Sequence, residues 1–184
     1  MLDKHYCEIE KLLPHCVLLG DAVSNKYAVD WSGEHAHQPV IVVRPKGVDD
    51  VSTLLAYCNA NNLSVVTQGG LTGLSGGATP QQDEIVLSLE FLSGITEIDK
   101  QSMTLSALAG TPLSELQEEA QKAGFYLPLD LGARGSCTIG GKVATNAGGN
   151  QVLYYGMTRA LVLGLTAVTA DGTVVRSMNK MLKN

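Results

Sequence analysis

Basic residues are scarce in this sequence. Its 184 residues contain 13 lysines and arginines against 18 aspartates and glutamates, which gives a formal net charge of -5. Binding to nucleic acid or to an anionic membrane surface depends on an excess of positive charge. We therefore expect neither nucleic acid nor an anionic lipid surface as a partner.

Long apolar runs are missing as well. No stretch reaches the roughly 18 consecutive apolar residues that a membrane-spanning helix needs. The first five residues, MLDKH, do not begin the apolar stretch of a signal peptide. Hydrophobic residues still make up 45% of the chain, which is enough for a substantial core. The sequence predicts a folded protein without a transmembrane segment, and we expect it to be cytoplasmic.

Metal-binding patterns are also lacking. The four cysteines lie far apart and form no CxxC pair of the kind found in zinc ribbons and redox dithiols. We interpret them as reduced thiols. His35 and His37 form an H-x-H pair, but no further ligands cluster beside them. No metal site is predicted.

The first half of the chain has a strand-helix-strand pattern. Short apolar runs flank a segment whose apolar residues recur at helical spacing. This spacing predicts a β-α-β unit with parallel strands. The predicted elements are a helical start at residues 8–13, a strand at residues 40–43, a helix from Val48 that Asn61 ends, and strands at residues 63–67 and 85–89.

The second half repeats strand and helix and then adds a hairpin. Asp171 and Gly172 form a typical hairpin turn, which indicates antiparallel pairing. The predicted elements are a strand at residues 104–109, a helix with Pro112 at its first position that Thr111 caps and Gly124 ends, and strands at residues 161–170 and 173–175.

Together these elements predict a mixed α/β, or α+β, fold in two lobes. The first lobe, residues 1–90, holds the β-α-β unit and a glycine-rich loop. The second lobe, residues 91–184, holds a mixed or antiparallel sheet with helices. Residues 177–184 carry no stop signal, so we expect a C-terminally truncated domain.

Five glycines lie within residues 69–77, which we call the glycine loop. Such a loop can aim several backbone amides at one point and so bind a phosphate or pyrophosphate. The alternative is a flexible linker, but linkers rarely separate two strong strand patterns. The loop lacks the Gly-Lys-Ser/Thr ending of a Walker loop and the following helix of a Rossmann fingerprint. A different nucleotide-binding fold is therefore expected.

A second glycine-rich stretch, residues 128–149, is here called the glycine segment. It contains two glycine pairs separated by small and amide residues, without helical periodicity. Such a backbone can approach a flat ligand closely while Thr145 and Asn146 supply polar contacts. Either pair alone could be a structural turn. Both pairs after a phosphate-type loop favour a cofactor site.

These motifs resemble one known family. The glycine loop, the glycine segment, Tyr155-Gly156 and residues 170–172 are similar to the FAD-binding domain of flavoproteins of the vanillyl-alcohol oxidase and p-cresol methylhydroxylase (PCMH) type. The run from Pro128 to Cys137 and the pattern Tyr27-x-x-Asp30-Trp31 resemble the D-2-hydroxyglutarate and D-lactate dehydrogenase branch, also labelled glycolate oxidase D-like. The resemblance covers the chain from about Tyr27 onward.

The resemblance implies FAD as the cofactor and assigns residues to it. Around the pyrophosphate it implies Gly69, Gly70, Thr72, Gly73, Ser75, Gly76 and Gly77. Near the ribityl chain and the flavin ring it implies Pro128, Asp130, Gly135, Ser136, Ile139, Gly140, Gly141, Thr145, Asn146 and Gly148. Three positions depart from the family pattern: Thr67, where proline is usual; Leu71, where glycine or asparagine is frequent; and Lys142, where asparagine is usual.

Covalent flavin attachment is not implied. Some members of this family link the flavin to a histidine in or near the first loop, but residues 66–80 contain neither histidine nor cysteine. Noncovalent FAD is therefore expected. Cys137 is interpreted as a packing residue near the cofactor, because only Arg134 is close enough in sequence to activate a thiolate.

The implied function is oxidation of a D-2-hydroxyacid such as D-lactate, D-2-hydroxyglutarate or glycolate, with electrons passing to FAD. No residue is nominated as catalytic. Complete enzymes of this type add further strands and a substrate-binding domain, so we expect residues 1–184 alone to be inactive and to bind FAD weakly or not at all. The expected partners are FAD and a small 2-hydroxyacid, and homo-oligomer formation is left open.

Two alternatives remain at this point. The first is a stand-alone flavin or nucleotide-binding module that acts together with a separate partner protein. The second is another reductase on the same fold, such as the enolpyruvyl-glucosamine reductase of cell-wall synthesis. The run from Pro128 to Cys137 argues against the second alternative.

Overall fold

The computed structural model describes residues 2–178. Its helices are α1 (Leu2–Leu12), α2 (Val48–Ala60), α3 (Leu113–Lys122), α4 (Ile139–Ala144), α5 (Val152–Tyr155) and α6 (Thr158–Leu161). Its strands are β1 (Val17–Leu19), β2 (Ile41–Val43), β3 (Val65–Gln68), β4 (Ile85–Ser88), β5 (Ile95–Asp99), β6 (Thr104–Ala107), β7 (Leu165–Val168) and β8 (Val174–Ser177). The mixed α and β composition confirms the predicted fold class. Most of the segment without a stop signal, residues 179–184, lies outside the described residues.

A four-stranded sheet in the order β1-β2-β4-β3 forms the core of the first half. β2 and β3 both pair in parallel with β4, so the predicted β-α-β unit is present with β4 between its two strands. Every residue of β2 and β4 is buried, as expected for central parallel strands. Because the three parallel strands run the same way, their carboxyl ends share one edge of the sheet. The glycine loop leaves β3 at this edge.

Helix α2 covers one face of the sheet. Leu54 is 1% exposed and packs in one cluster with Ile41 of β2. Burying a leucine side chain in this way contributes about 1.5–3 kcal/mol. At the start of the helix, the Asp50 carboxylate accepts a hydrogen bond of 3.1 Å from the Gly47 amide. The helix ends before Asn61, as predicted.

Two strands in the second half differ from the prediction. The expected strand at residues 161–170 begins only at Leu165, because residues 158–161 form α6. Thr158 fixes this turn by donating its amide (3.0 Å) and its hydroxyl (2.5 Å) to the Ala147 carbonyl. Alternation along one strand cannot reveal such a long-range contact. The strand expected at residues 104–109 ends at Ala107, and its antiparallel partner β5 was not predicted.

The prediction that Thr111 caps α3 is wrong. Its hydroxyl donates to the Leu108 carbonyl at 2.7 Å and accepts from the Gly94 amide at 2.9 Å. The first amide of the helix, that of Leu113, instead donates to the Cys137 carbonyl at 3.0 Å. A backbone carbonyl of the glycine segment therefore satisfies the helix start, which ties α3 to that segment.

The β7–β8 hairpin joins the two halves of the chain. Its strands pair antiparallel around the predicted Asp171-Gly172 turn. The Gly172 carbonyl accepts a 2.5 Å hydrogen bond from the Ser52 hydroxyl on α2. A Cβ atom at Gly172 would lie 2.6 Å from the Ser52 carbonyl oxygen and 2.7 Å from the Ala56 Cβ. The division into lobes at residue 90 stays a prediction.

We expect Gly172→Ala to destabilise the protein more than Gly124→Ala. Both glycines have a positive φ, 85° and 90°, which costs an alanine about 1–2 kcal/mol. Only Gly172 is also crowded, and this adds about 1–3 kcal/mol, whereas nothing lies within 4 Å of a Cβ at Gly124. Urea unfolding of both variants measures the difference. Equal losses of stability would show that the hairpin does not dock tightly on α2.

Candidate cofactor site

The glycine loop is closed at its base by a buried side chain. Gln68, the last residue of β3, is 0% exposed. Its amide nitrogen donates to the Ala78 carbonyl at 2.8 Å and to the Tyr27 carbonyl at 2.9 Å. Gln68 precedes the loop directly and Ala78 follows it. The loop therefore starts and ends at one anchored point on the carboxyl edge of the sheet.

The backbone of the loop suits an anion. Within residues 2–178, the amides of residues 70–75 donate no hydrogen bond to the protein. Leu71 and Gly76 have positive φ values of 55° and 70°, so the chain changes direction twice within the loop. Consecutive free amides in a turning backbone form a concave anion-binding surface. This surface matches the pyrophosphate role predicted for the loop.

The backbone conformation at Leu71 explains why the family often has glycine or asparagine at this position. The left-handed conformation costs a non-glycine residue about 1–2 kcal/mol, and glycine and asparagine adopt it most readily. These are the residue types expected at this position. A second departure, Thr67, lies on β3 at the edge of the sheet, where a proline is tolerated.

The glycine loop and the glycine segment are in direct contact. A Cβ atom at Gly70 would overlap the Ser136 carbonyl oxygen and lie 3.0 Å from the Cα of Cys137. A Cβ at Gly69 would overlap the Thr138 hydroxyl. Only glycine permits this approach at Gly70, because the obstructing atoms belong to the backbone. The two glycine-rich stretches thus form one continuous surface, as a shared cofactor site requires.

The glycine segment contains a short helix that its sequence did not reveal. Six residues, Ile139–Ala144, form α4, which is too short to show helical periodicity. Gly140 packs this helix against Ala109: its amide donates to the Ala109 carbonyl at 2.8 Å, and a Cβ would lie 2.7 Å from the Ala109 Cβ. The glycine at position 140 therefore has a packing role.

Several other predicted site residues have contacts within the fold. Three of them form hydrogen bonds: Asp130 accepts from the Asn150 side chain at 3.1 Å, Asn146 accepts from the Arg159 amide at 2.9 Å, and Thr145 donates to the Gly141 carbonyl at 2.9 Å. Ile139 packs on the cluster around Leu113 and Leu129. A Cβ at Gly148 would lie 3.0 Å from the Met157 sulfur. By contrast, a Cβ at Gly77 or Gly135 would meet open space. The cofactor contacts of these residues remain predictions.

Cys137 is a packing residue. It is 1% exposed and belongs to a cluster with Leu113 and Leu129. Burial raises the pKa of its thiol, which keeps the group protonated and unreactive near neutral pH.

A charged cluster at the same sheet edge was not predicted from the sequence. Glu90 follows β4 closely, and its carboxylate accepts hydrogen bonds from the Tyr27 hydroxyl and, at 2.6 Å, from the Lys26 ammonium. Arg44, which follows β2, lies 3.8 Å away. Burial favours a higher pKa for Glu90, but its hydrogen bonds and the two cations outweigh burial and lower the pKa. Only its position just after a strand could have indicated Glu90 beforehand.

The described residues therefore fit FAD. Free amides in the glycine loop offer a site for the pyrophosphate. The crowding at Gly70 shows that the loop and the glycine segment are built to meet without side chains between them. A sequence profile described as FAD binding domain matches residues 39–177, which is most of the chain. The chain belongs to this family, and the prediction of FAD as cofactor is confirmed.

Relatives of this chain include D-2-hydroxyglutarate dehydrogenases. The mitochondrial enzyme of Bos taurus is 41% identical over 96% of this chain and 32% of its own length. The enzyme of Xanthomonas citri pv. viticola is 37% identical over 100% of this chain and 39% of its own length. The chain thus spans about a third of the length of these relatives.

Solved structures confirm the predicted superfamily and fold. Alkyldihydroxyacetonephosphate synthase superimposes with a TM-score of 0.85 at 19% identity, covering 98% of this chain and 36% of that protein. For 6-hydroxy-D-nicotine oxidase from Arthrobacter nicotinovorans the TM-score is 0.75 at 27% identity, covering 86% and 34%. Both share the PCMH-type FAD-binding fold with this chain.

The expected cytoplasmic location is contradicted. Relatives from Bos taurus and Danio rerio are named mitochondrial, although bacterial relatives occur too. The expectation relied on the lack of an apolar leader, but mitochondrial targeting uses amphipathic, arginine-rich segments, so that criterion does not separate the compartments. Among residues 2–178, no helix is long and apolar enough to cross a membrane.

We expect Gly76→Val to lower FAD affinity at least tenfold, because valine resists the positive φ at this position and so changes the backbone path of the loop that carries the free amides. The measurement is FAD titration of a hybrid enzyme, in which this chain replaces the matching residues of the Xanthomonas citri relative. Gly124→Val is the matched control, since it carries similar backbone strain outside both glycine-rich stretches. Equal FAD affinity in the two variants would show that the glycine loop is not part of the cofactor site.

Proposed function

We propose that this chain is the FAD-binding part of a flavin-dependent D-2-hydroxyacid dehydrogenase whose substrate is D-2-hydroxyglutarate. The observation that carries the cofactor role is the contact of the glycine loop with the glycine segment at Gly70, beside free amides on the carboxyl edge of the sheet. Ligands of α/β sheets commonly bind at this edge.

The residues have separate roles in this proposal. The amides of residues 70–75, with the hydroxyls of Thr72 and Ser75, hold the pyrophosphate by hydrogen bonds that need no cationic side chain. Ser136, Gly140, Gly141 and the residues around Thr145 lie along the rest of the cofactor. Noncovalent attachment follows from the lack of histidine and cysteine in residues 66–80.

When bound, FAD supplies the oxidising power by accepting a hydride from the substrate carbon that bears the hydroxyl. The chain contributes binding and orientation. Two carboxylates lie at this edge, the buried one of Asp30 and the half-buried one of Glu90, and hydrogen bonds stabilise both in their charged form. Neither has the raised pKa that suits a proton acceptor near neutral pH, so we nominate no catalytic base among residues 2–178.

The choice of substrate rests on the relatives. Those from mammals, fish, plants and bacteria are named for D-2-hydroxyglutarate, which favours this acid over D-lactate and glycolate. The same names favour this activity over an enolpyruvyl-glucosamine reductase. No contact within the described residues favours a stand-alone module that acts with a separate partner protein.

The hybrid enzyme tests this proposal. We expect it to bind FAD and to oxidise D-2-hydroxyglutarate with an artificial electron acceptor, at a kcat/KM at least tenfold above that for D-lactate. We expect residues 1–184 alone to show no turnover, because a cofactor of this size gains affinity from enclosure of most of its surface. A folded hybrid without flavin, or one that prefers D-lactate, would contradict the proposal.

A further inference from the structure

We propose that Asp30 and Trp31, here called the strap, position the glycine loop for the cofactor: the strap holds the loop from beneath and leaves its outer amides free for pyrophosphate. This inference rests on the proposed function for its ligand. The strap lies outside every residue set assigned above to the cofactor. It also gives a physical role to the Tyr27-x-x-Asp30-Trp31 pattern.

The strap is bonded to both arms of the loop. At the first arm, the Trp31 amide donates to the Leu71 carbonyl at 3.0 Å. At the second arm, the Asp30 amide donates to the Thr79 hydroxyl at 3.3 Å. These bonds attach two adjacent strap residues to Leu71 in the loop and to Thr79 just after it, which are eight residues apart. The separation of the two arms is therefore fixed by the strap.

Between these bonds lies the Asp30 carboxylate. The residue is 4% exposed, and its Oδ1 accepts from the Ser32 amide at 2.9 Å. Its Oδ2 is buried and has no hydrogen bond of standard geometry among the described residues. A Cβ at Gly73 would lie 3.1 Å from Oδ2, so the backbone at Gly73 passes directly over the carboxylate. A side chain at position 73 would force the carboxylate or the loop backbone to shift by a few tenths of an ångström.

Electrostatics explains why a carboxylate is suited to this position. Burial favours a higher pKa for Asp30, but hydrogen bonding with Ser32 and the nearby amides of Ala78 and Gly76 outweigh burial, so that the pKa is lowered and the group is charged at neutral pH. A buried charge of this kind orients the amide dipoles around it. The amides of Gly76 and Ala78 therefore help to stabilise the charged carboxylate of Asp30.

This arrangement divides the amides of the loop into two groups. The amides of Gly76 in the loop and of Ala78 directly after it help to lower the pKa of the Asp30 carboxylate, whereas those of residues 70–75 have no protein acceptor within the described chain. A loop whose amides are held in place before binding loses less conformational entropy when an anion arrives. The strap thus acts on affinity through the loop and touches neither substrate nor flavin in this account.

The test is amide hydrogen exchange of the 184-residue chain with Asp30→Asn. We expect exchange at Gly76 and Ala78 to accelerate at least tenfold, because the neutral amide no longer orients these groups, while exchange in β2 and β4 stays unchanged. A second variant, Thr79→Val, removes the acceptor of the Asp30 amide and should accelerate exchange in the same segment. Asp171→Asn is the matched control, since Asp171 also caps a local turn but lies in the β7–β8 hairpin.

Unchanged exchange at Gly76 and Ala78 in Asp30→Asn would overturn the inference. An equal acceleration of exchange throughout the chain would also overturn it, because Asp30 would then stabilise the whole fold and not the loop in particular. A parallel NMR experiment adds FAD at millimolar concentration and follows the amide resonances of residues 70–77. We expect the chemical-shift changes seen in the wild type to be smaller in Asp30→Asn and the same in Asp171→Asn. If FAD shifts no loop resonance of the wild type, this counts against the proposed pyrophosphate site and not against the strap, because the exchange result tests the strap without FAD.

Discussion

The contact between Gly70 and the Ser136 carbonyl is the constraint on which the rest of this structure depends. At this point two backbones approach too closely for any side chain, so the glycine loop and the glycine segment share one surface. The segment is held there by α3, whose first amide bonds the Cys137 carbonyl. The loop is held by Gln68, which closes its base on the parallel sheet. Each half of the candidate cofactor site is thus anchored to a different hydrophobic core.

Buried polar groups concentrate at this edge of the sheet. Oδ2 of Asp30, Oε1 of Gln68 and Nε of Arg44 are all buried and have no hydrogen bond of standard geometry among the described residues. Such groups cost stability and are tolerated mainly where function requires them. Asp30 bonds Thr79 and Gln68 bonds Ala78, both just after the glycine loop, so two of these costly groups belong to residues that hold the loop in place. The left-handed Leu71 adds backbone strain at the same place.

The sequence predicted local elements well and long-range contacts poorly. The apolar runs of β2 and β4 and the spacing in α2 identified the sheet and its helix, because these patterns depend on burial alone. The glycine content identified the loop, because few residues other than glycine allow such a path. Thr111 was misjudged because its hydroxyl bonds residues 94 and 108, and α4 was missed because six residues show no periodicity. The role of Asp30 became visible only when the fold placed it under Gly73.

The most direct test of this account is an NMR titration of the 184-residue chain with FAD, with adenosine as the ligand that lacks phosphate. The amides of residues 70–77 and 136–138 should shift with FAD, even at weak affinity, because the two stretches are in contact and the proposal places the pyrophosphate on the first and the adjoining part of the cofactor on the second. Adenosine should leave residues 70–77 unchanged. If millimolar FAD shifts only residues elsewhere, or if adenosine shifts the glycine loop as strongly, the loop is not a pyrophosphate site and the account is wrong.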